Sequence, residues 1–157
     1  PNLLVVRTFS KSRSLAGARI GYAMAQPALI DDLERVRNSF HPYNINRLSM
    51  LAGVEAMKDA AYFEACCKRI VNTRSRTAEA LKALGFTMTE SRTNFLFAAP
   101  PCLSGRAYYE QLKDRGVLVR YFGGERLSPY VRITIGSDEE MDVFLEKTRE
   151  ILKEANP

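Results

Sequence analysis

Residue types that build disulfides and metal sites are scarce in this chain. Its 157 residues contain three cysteines and one histidine. Cys66 and Cys67 are neighbours, and a disulfide between neighbours is strained, so we expect no disulfide framework and a reducing, cytoplasmic environment. His41 has no carboxylate cluster or zinc-type spacing around it, and no metal is predicted.

Long apolar runs and leader sequences are lacking too. The chain has no run of about 18 apolar residues, so we expect no membrane span, and no signal peptide is visible at its N-terminus. It also lacks an initiator methionine, because Pro1 and Asn2 lead straight into an apolar segment. We therefore expect a fragment, the C-terminal part of a longer protein.

Charge is plentiful but evenly spread. The net charge is +5 and 46% of the residues are hydrophobic, which predicts a basic, globular protein. Acidic residues stand between the lysines and arginines, and no basic run carries interleaved aromatics, so nucleic acid is not an expected partner. Small anionic ligands account better for selected arginines.

The first half of the sequence predicts one pair of strands followed by helices. The apolar segments Leu3–Val6 and Ile20–Ala25 predict buried strands around a polar loop. Pro27 predicts the start of a helix, which His41 and Pro42 end. Its apolar face is expected to comprise Leu29, Ile30, Leu33 and Val36.

Two further helices follow in the pattern. Asn44 is the expected cap of the first of them, and Asp59 is the expected cap of the second. This second helix is long, and Gly85 is expected to close it. Its apolar stripe comprises Phe63, Cys66, Ile70, Thr77, Leu81 and Leu84.

After Gly85 the sequence predicts a strand-strand-helix-strand-strand-helix unit. The strands are expected at residues 86–88, 94–98, 117–120 and 130–135. Ser104 and Ser137 are the expected helix caps, and Ser137 forms a capping box with Glu140. The last helix is expected to bury Met141, Phe144, Leu145, Thr148 and Leu152. The whole is an α/β fold with domains at residues 1–78 and 79–157.

The loop between the first two strands carries the clearest chemistry. Lys11 stands where the first strand ends, and Arg19 follows eight residues later. A lysine at a strand end can be partly desolvated, and desolvation favours the free amine, which attacks carbonyls. The hydroxyls of Thr8 and Ser10 and the guanidinium of Arg19 can bind a phosphate. An amine beside a phosphate site suits pyridoxal phosphate, which carries an aldehyde and a phosphate on one ring.

Residues 8–21, T-F-S-K-S-R-S-L-A-G-A-R-I-G, resemble the cofactor-lysine segment of fold-type I pyridoxal-phosphate aminotransferases. The pattern of that segment is S/T-x-S-K-x-x-x-L-A-G-x-R-x-G, and every specified position is present. Later segments resemble histidinol-phosphate aminotransferases in order and spacing: P-Y-N-I-N (42–46), T-N-F-L (93–96), G-V-L-V-R (116–120) and Y-V-R-I-T-I-G (130–136). The resemblance implies the end of a large cofactor domain followed by a small α+β domain.

For the cofactor, the resemblance implies a set of roles in the lysine loop. Lys11 would bind pyridoxal 5'-phosphate as a Schiff base and then act as the catalytic base that moves the substrate's α-proton. Thr8, Ser10 and Arg19 would bind the cofactor phosphate.

For the substrates, the resemblance implies L-histidinol phosphate, a phosphorylated amino alcohol of histidine biosynthesis, and the 2-oxo acid 2-oxoglutarate. Arg132 would orient the substrate, Arg120 would supply a second anion site, and Asn94 would contribute to substrate binding. The two arginines are expected on antiparallel strands that face one cleft. A surface position for Arg120, a structural ion pair for Arg132 and a packing role for Asn94 are the alternatives.

Parts of the family's site are expected before Pro1. They include the aromatic that stacks on the cofactor ring and the aspartate that pairs with the pyridine nitrogen, without which the ring is a poor electron sink. We therefore expect this chain alone to be inactive. The full-length protein is expected to be a homodimer, with Tyr43 to Asn46 near the subunit boundary.

Other functions remain open at this stage. The lysine loop also fits an aminotransferase for aromatic amino acids or a phosphothreonine decarboxylase. Outside the enzymes, the chain could be an inert binding or structural domain. The visible absorption of a bound cofactor would separate the two classes.

Overall fold

The computed structural model describes residues 2–156. They form two compact units, the first ending at Cys67 and the second beginning at Lys68. The division lies inside one long helix, about three turns before the boundary predicted at residues 78 and 79. Each unit has a sheet of its own.

The first unit is built on a two-stranded ribbon. Strand β1 (Val5–Thr8) pairs antiparallel with β2 (Gly21–Met24), and a short 3₁₀ helix, Ala16–Ala18, lies in the loop between them. The prediction that these strands are buried is wrong, because β2 is exposed throughout and β1 almost so. Within the described residues, only the loop end of the ribbon is covered.

Three helices follow the ribbon. Helix α1 (Pro27–Phe40) begins at Pro27 and ends before His41 as predicted, and α2 spans Arg47–Lys58. The cap of α2 is Asn46 rather than the predicted Asn44. Its side chain accepts the Ser49 N–H at 2.9 Å, because a capping side chain must directly precede the first helical residue.

The long helix α3 (Ala60–Ala83) starts at the predicted cap. The Asp59 carboxylate accepts the Tyr62 N–H at 3.2 Å. At the other end, Gly85 has a φ of +85°, which allows the left-handed stop that the sequence predicted. Thr77 and Leu81 of the predicted stripe are buried.

Helix α2 covers the loop end of the ribbon through a close approach at Gly53. A Cβ on Gly53 would lie 2.8 Å from Cδ1 of Ile20, so a larger residue there would require the Ile20 side chain to shift. Phe9 and Ile20 are buried at this contact. By contrast, Leu33 and Val36 of the predicted α1 face are exposed. The described residues therefore cover only part of the apolar surface of this unit.

The second unit has the predicted strand-strand-helix-strand-strand-helix order. Its elements are β3 (Thr87–Met88), β4 (Phe95–Ala99), α4 (Gly105–Asp114), β5 (Arg120–Tyr121), β6 (Val131–Thr134) and α5 (Asp138–Ala155). The sheet is antiparallel with order β3-β4-β6-β5. The strand predicted at residues 117–120 is shorter than expected, because the Val117 N–H bonds back to the Leu112 carbonyl at the end of α4.

One core holds the second unit together. It comprises Leu81, Phe86, Leu96, Ala98, Tyr108, Leu112, Val131, Ile133, Ile135, Met141, Phe144, Leu145 and Ile151. Each large apolar side chain buried here stabilises the fold by about 1.5–3 kcal/mol relative to exposure. The buried residue near the end of α5 is Ile151 and not the predicted Leu152, which is half-buried.

Two polar pairs accompany this core. The Tyr108 hydroxyl lies 2.7 Å from the Thr148 hydroxyl, and burial raises the pKa of Tyr108. The predicted capping box is present, with Ser137 and Glu140 exchanging hydrogen bonds at the start of α5. No helix within residues 2–156 is long and apolar enough to cross a membrane.

Candidate functional site

The lysine loop joins β1 to β2 at the covered end of the ribbon. Phe9 N–H donates to the Ile20 carbonyl at 3.2 Å, which continues the strand pairing beyond Thr8 and Gly21. Lys11 then lies at the start of a turn, in which its carbonyl accepts the Ser14 N–H at 3.1 Å. Lys11 is exposed, so the desolvation predicted for it is not provided by the described residues.

Two hydroxyls lie together at the base of this loop. Thr8 Oγ1 donates to Ser10 Oγ at 2.9 Å and accepts the Ser10 N–H at 3.1 Å. Thr8 is exposed and Ser10 is half-buried. The two hydroxyls thus lie close together just before Lys11 in the chain. Both can turn toward an anion because hydroxyl groups donate as well as accept.

Backbone strain is concentrated in the lysine loop. Ser14 has a φ of 56° and Arg19 a φ of 53°, and they are the only non-glycine residues with positive φ among residues 2–156. Arg19 follows the 3₁₀ helix, and its guanidinium donates to the Ala16 carbonyl at 3.1 Å. Left-handed conformations of such residues persist where the surroundings enforce them, typically at functional sites.

Arg13 belongs to this loop and is a residue that sequence reasoning missed. Its guanidinium donates to the Ala56 carbonyl at 2.7 Å and to the Asp59 carbonyl at 3.4 Å, at the junction of α2 and α3. Its Cζ also lies 3.8 Å from the ring centre of Phe63. Arg13 therefore anchors the loop, two residues after Lys11, to the junction of α2 and α3.

The second unit brings two of the predicted site residues together. Arg120 of β5 and Arg132 of β6 are direct cross-strand partners, which is the antiparallel pairing that the sequence predicted. Arg120 is exposed and Arg132 is half-buried. No salt bridge involves either arginine among residues 2–156. Like charges placed directly opposite on a sheet are destabilising unless an anion compensates them.

Aromatic rings surround the two guanidinium groups. The Cζ atom of Arg120 lies 5.5 Å from the ring centre of Phe122, and the Cζ atom of Arg132 lies 5.8 Å from the same centre. Arg132 also lies over Phe95, at 5.5 Å. The Nε atom of Arg132 is buried and has no hydrogen-bond partner within the described chain. A buried donor without an acceptor carries a desolvation penalty that a bound anion would remove.

The remaining predicted site residues have more modest surroundings. Asn94 is half-buried, and its main-chain carbonyl accepts the Ile135 N–H at 2.9 Å. Tyr43 is exposed and makes an edge contact with His41. Residues 2–156 contain no group of three or more side chains that could hold a metal ion.

Comparisons with known proteins agree on one family. The sequence pattern of aminotransferase class I and II matches residues 1–147. The histidinol-phosphate aminotransferase of Brachyspira hyodysenteriae is 49% identical over 152 residues, which are 97% of this chain and 43% of that protein. The histidinol-phosphate aminotransferase of Chromohalobacter salexigens is 51% identical over 146 residues, 93% of this chain and 42% of that protein.

A solved structure extends the likeness to the fold. The histidinol-phosphate aminotransferase of Sinorhizobium meliloti, crystallised with pyridoxal-5'-phosphate, superposes with a TM-score of 0.79 at 30% sequence identity. The superposition covers 98% of this chain and 42% of that structure. The chain thus spans less than half the length of the relatives that it matches.

Proposed function

Because this chain belongs to the class I and II aminotransferase family, with the fold-type I architecture, we propose that it is the C-terminal part of a pyridoxal-phosphate-dependent aminotransferase. The full-length enzyme moves an amino group between L-histidinol phosphate and 2-oxoglutarate, in the cytoplasm. The observation that carries the proposal is the lysine loop. It joins an accessible lysine to a hydroxyl pair and to an arginine held in a left-handed conformation.

The residues of the loop fit the cofactor by their chemistry. Pyridoxal phosphate supplies an aldehyde that condenses with amines and a ring that withdraws electrons from the bound substrate. Lys11 would hold it covalently through Nζ and, once displaced by substrate, would carry the proton that leaves the α-carbon. Thr8, Ser10 and Arg19 would bind the phosphate, since hydroxyls and a guanidinium donate to its oxygens.

The arginine pair fits a substrate with two anionic groups. Arg120 and Arg132 lie opposite each other without an acidic partner among residues 2–156. A phosphorylated amino alcohol and a dicarboxylic 2-oxo acid both offer the negative charge that this site lacks. Arg132 would orient the substrate, and Arg120 would bind its second anionic group. Asn94, the residue before β4, would contribute to substrate binding.

We propose that the full-length enzyme is a homodimer, and the exposed apolar surface of the first unit supports this. Leu48 is 79% exposed and Tyr43 is 80% exposed. Exposed apolar patches of this kind mark surfaces that another chain segment or another subunit covers. We propose that residues 43–46 lie near the subunit boundary of the full-length enzyme and that the 157-residue chain alone is inactive, with its domains divided near residues 78 and 79.

A donor panel tests the proposed function. The full-length enzyme, loaded with pyridoxal phosphate, would be assayed with 2-oxoglutarate and either L-histidinol phosphate or L-phenylalanine. A third reaction with O-phosphothreonine would be followed for release of carbon dioxide. We expect the highest kcat/KM with L-histidinol phosphate. A preference for L-phenylalanine, or decarboxylation of phosphothreonine, would replace the proposed substrate. The absence of a visible cofactor band would contradict the assignment as a pyridoxal-phosphate enzyme.

A further inference from the structure

We infer that Phe122 is a positioning residue that keeps the arginine pair ready for an anion. Among the aromatic rings of residues 2–156, Phe122 is the one that lies against both guanidinium groups. It follows β5 directly, two residues after Arg120. This inference rests on the proposed function only in taking the arginine pair as the substrate's anion site.

The contact uses the part of each arginine that an anion does not need. A guanidinium group that lies over an aromatic ring is attracted through its flat face. Its N–H donors point outward in the plane of the group and stay available to two oxygens at once. Phenylalanine has no hydrogen-bonding atom, so it attracts the cations without occupying their donors. An acidic neighbour would instead consume the donors.

The ring also lowers the penalty of holding two cations together. Arg120 and Arg132 are direct cross-strand partners, and like charges in that position repel each other. The negative face of an aromatic ring close to both cations partly offsets this repulsion. Removing the ring should let the exposed Arg120 move away into solvent, since no salt bridge holds it within the described chain.

Phe122 is itself held in place by other rings. It makes an edge contact with Phe97 at 6.4 Å, and Phe97 stacks on Tyr130 at 4.7 Å. Phe97 lies on β4 and Tyr130 directly precedes β6. The ring is therefore positioned from the same sheet that carries Arg132, which suits a residue that fixes geometry.

Inorganic phosphate is the probe that tests this role. Its binding to the full-length, cofactor-loaded protein would be measured by calorimetry without an amino donor, for the unsubstituted protein and for Phe122→Leu, Phe122→Met and Phe122→Tyr. Losing the ring that lies close to both guanidinium groups should weaken phosphate binding about tenfold in the Leu and Met variants. Phe122→Tyr keeps the aromatic face and should stay within about twofold.

A matched control separates positioning from stability. Phe86 is buried in the core of the same unit and is in edge contact with Tyr108, away from both arginines. Phe86→Leu should lower the melting temperature and leave phosphate affinity unchanged. When Arg120 and Arg132 are both replaced by alanine, adding Phe122→Leu should change phosphate affinity little further.

The result stands apart from the identity of the substrate. If the enzyme binds phosphate but does not use L-histidinol phosphate, the proposed function fails while the role of Phe122 is still decided by the affinities. Phosphate binding that is equal in the unsubstituted, Leu and Met proteins would overturn the inference. So would a loss in Phe122→Tyr as large as that in Phe122→Leu, or no phosphate binding by the unsubstituted protein.

Discussion

The two units of this chain differ most in how they treat their apolar residues. Of the large apolar side chains that are exposed in residues 2–156, sixteen lie in the first unit and four in the second. The first unit buries only Phe9 and Ile20 among such residues, whereas the second has a continuous core. The second unit therefore has a core of its own, whereas the first leaves most of its large apolar side chains exposed.

The difference separates the two tasks that we propose for the enzyme. The proposed cofactor residues lie at the loop end of a ribbon whose strands are exposed, and the arginines proposed to bind substrate lie on a sheet with a packed core. An exposed ribbon of two strands is marginal by itself, but a sheet backed by helices can be stable alone. Substitutions in the two units should therefore act on different quantities, which the following predictions use.

Removing the amine of Lys11 should have the largest effect. We expect Lys11→Ala to lower the kcat of the full-length enzyme by at least about 1000-fold, because both the covalent attachment and the proton carrier are lost. Thermal unfolding should change little, since Lys11 is exposed. Lys58→Ala is the control, because Lys58 is an exposed lysine of the same unit paired with Glu55. Retained activity in Lys11→Ala would exclude the assigned role.

Removing Arg132 should impair substrate use more than removing Arg120. Arg132 is the more buried of the two, so Arg132→Ala should cost about 2–5 kcal/mol in kcat/KM for L-histidinol phosphate. Arg120→Ala should act in the same direction with a smaller loss, since its guanidinium is exposed. Arg126→Ala, an exposed residue of the turn between the strands, is the control. Unchanged kinetics in Arg120→Ala would mean that Arg120 is a surface residue without a role in substrate binding.

A matched leucine pair tests the difference in packing directly. Leu112 is fully buried in the second unit and Leu48 is 79% exposed in the first. In urea unfolding of the 157-residue chain, Leu112→Ala should lose about 2–5 kcal/mol of stability, and Leu48→Ala should stay within about 0.5 kcal/mol. Equal losses at both positions would mean that the first unit buries more of its surface in solution than the structure does.

Loosening the lysine loop should have a local effect that is confined to the first unit. Arg13→Ala removes a hydrogen bond to the Ala56 carbonyl and a contact with Phe63, together worth about 1–2 kcal/mol locally. We expect faster hydrogen exchange at residues 9–19 and no change beyond Lys68. Arg13→Lys should recover only part of the protection, because lysine lacks the planar group. Exchange that stays slow in Arg13→Ala would show that the loop is held without it.

Local patterns predicted what local interactions decide. The start of α1 at Pro27, the capping box at Ser137 and the stop at Gly85 all depend on neighbours within a few residues. The specified positions of the lysine loop likewise lie within one short segment. The sequence predicted Asn44 as the cap of α2 and the structure has Asn46, because both residue types suit a cap and only the backbone decides which one precedes the first helical turn.

Long-range contacts account for what the sequence did not predict. Arg13 was missed because its main acceptor, the Ala56 carbonyl, lies 43 residues later. The exposure of β1 and β2 was missed because apolar strands report a capacity for burial and not the presence of a covering layer. The role inferred for Phe122 was not predicted because it depends on the distance of its ring from two arginines on paired strands.

The central claim is that Lys11 holds the cofactor, and one labelling experiment tests it most directly. The full-length protein would be loaded with pyridoxal phosphate, reduced with borohydride and digested, and the modified peptide would be identified by mass spectrometry. We predict a single modified lysine, Lys11, within the peptide that carries Ser10 and Ser12. Modification of another lysine in place of Lys11, or of none, would contradict the account.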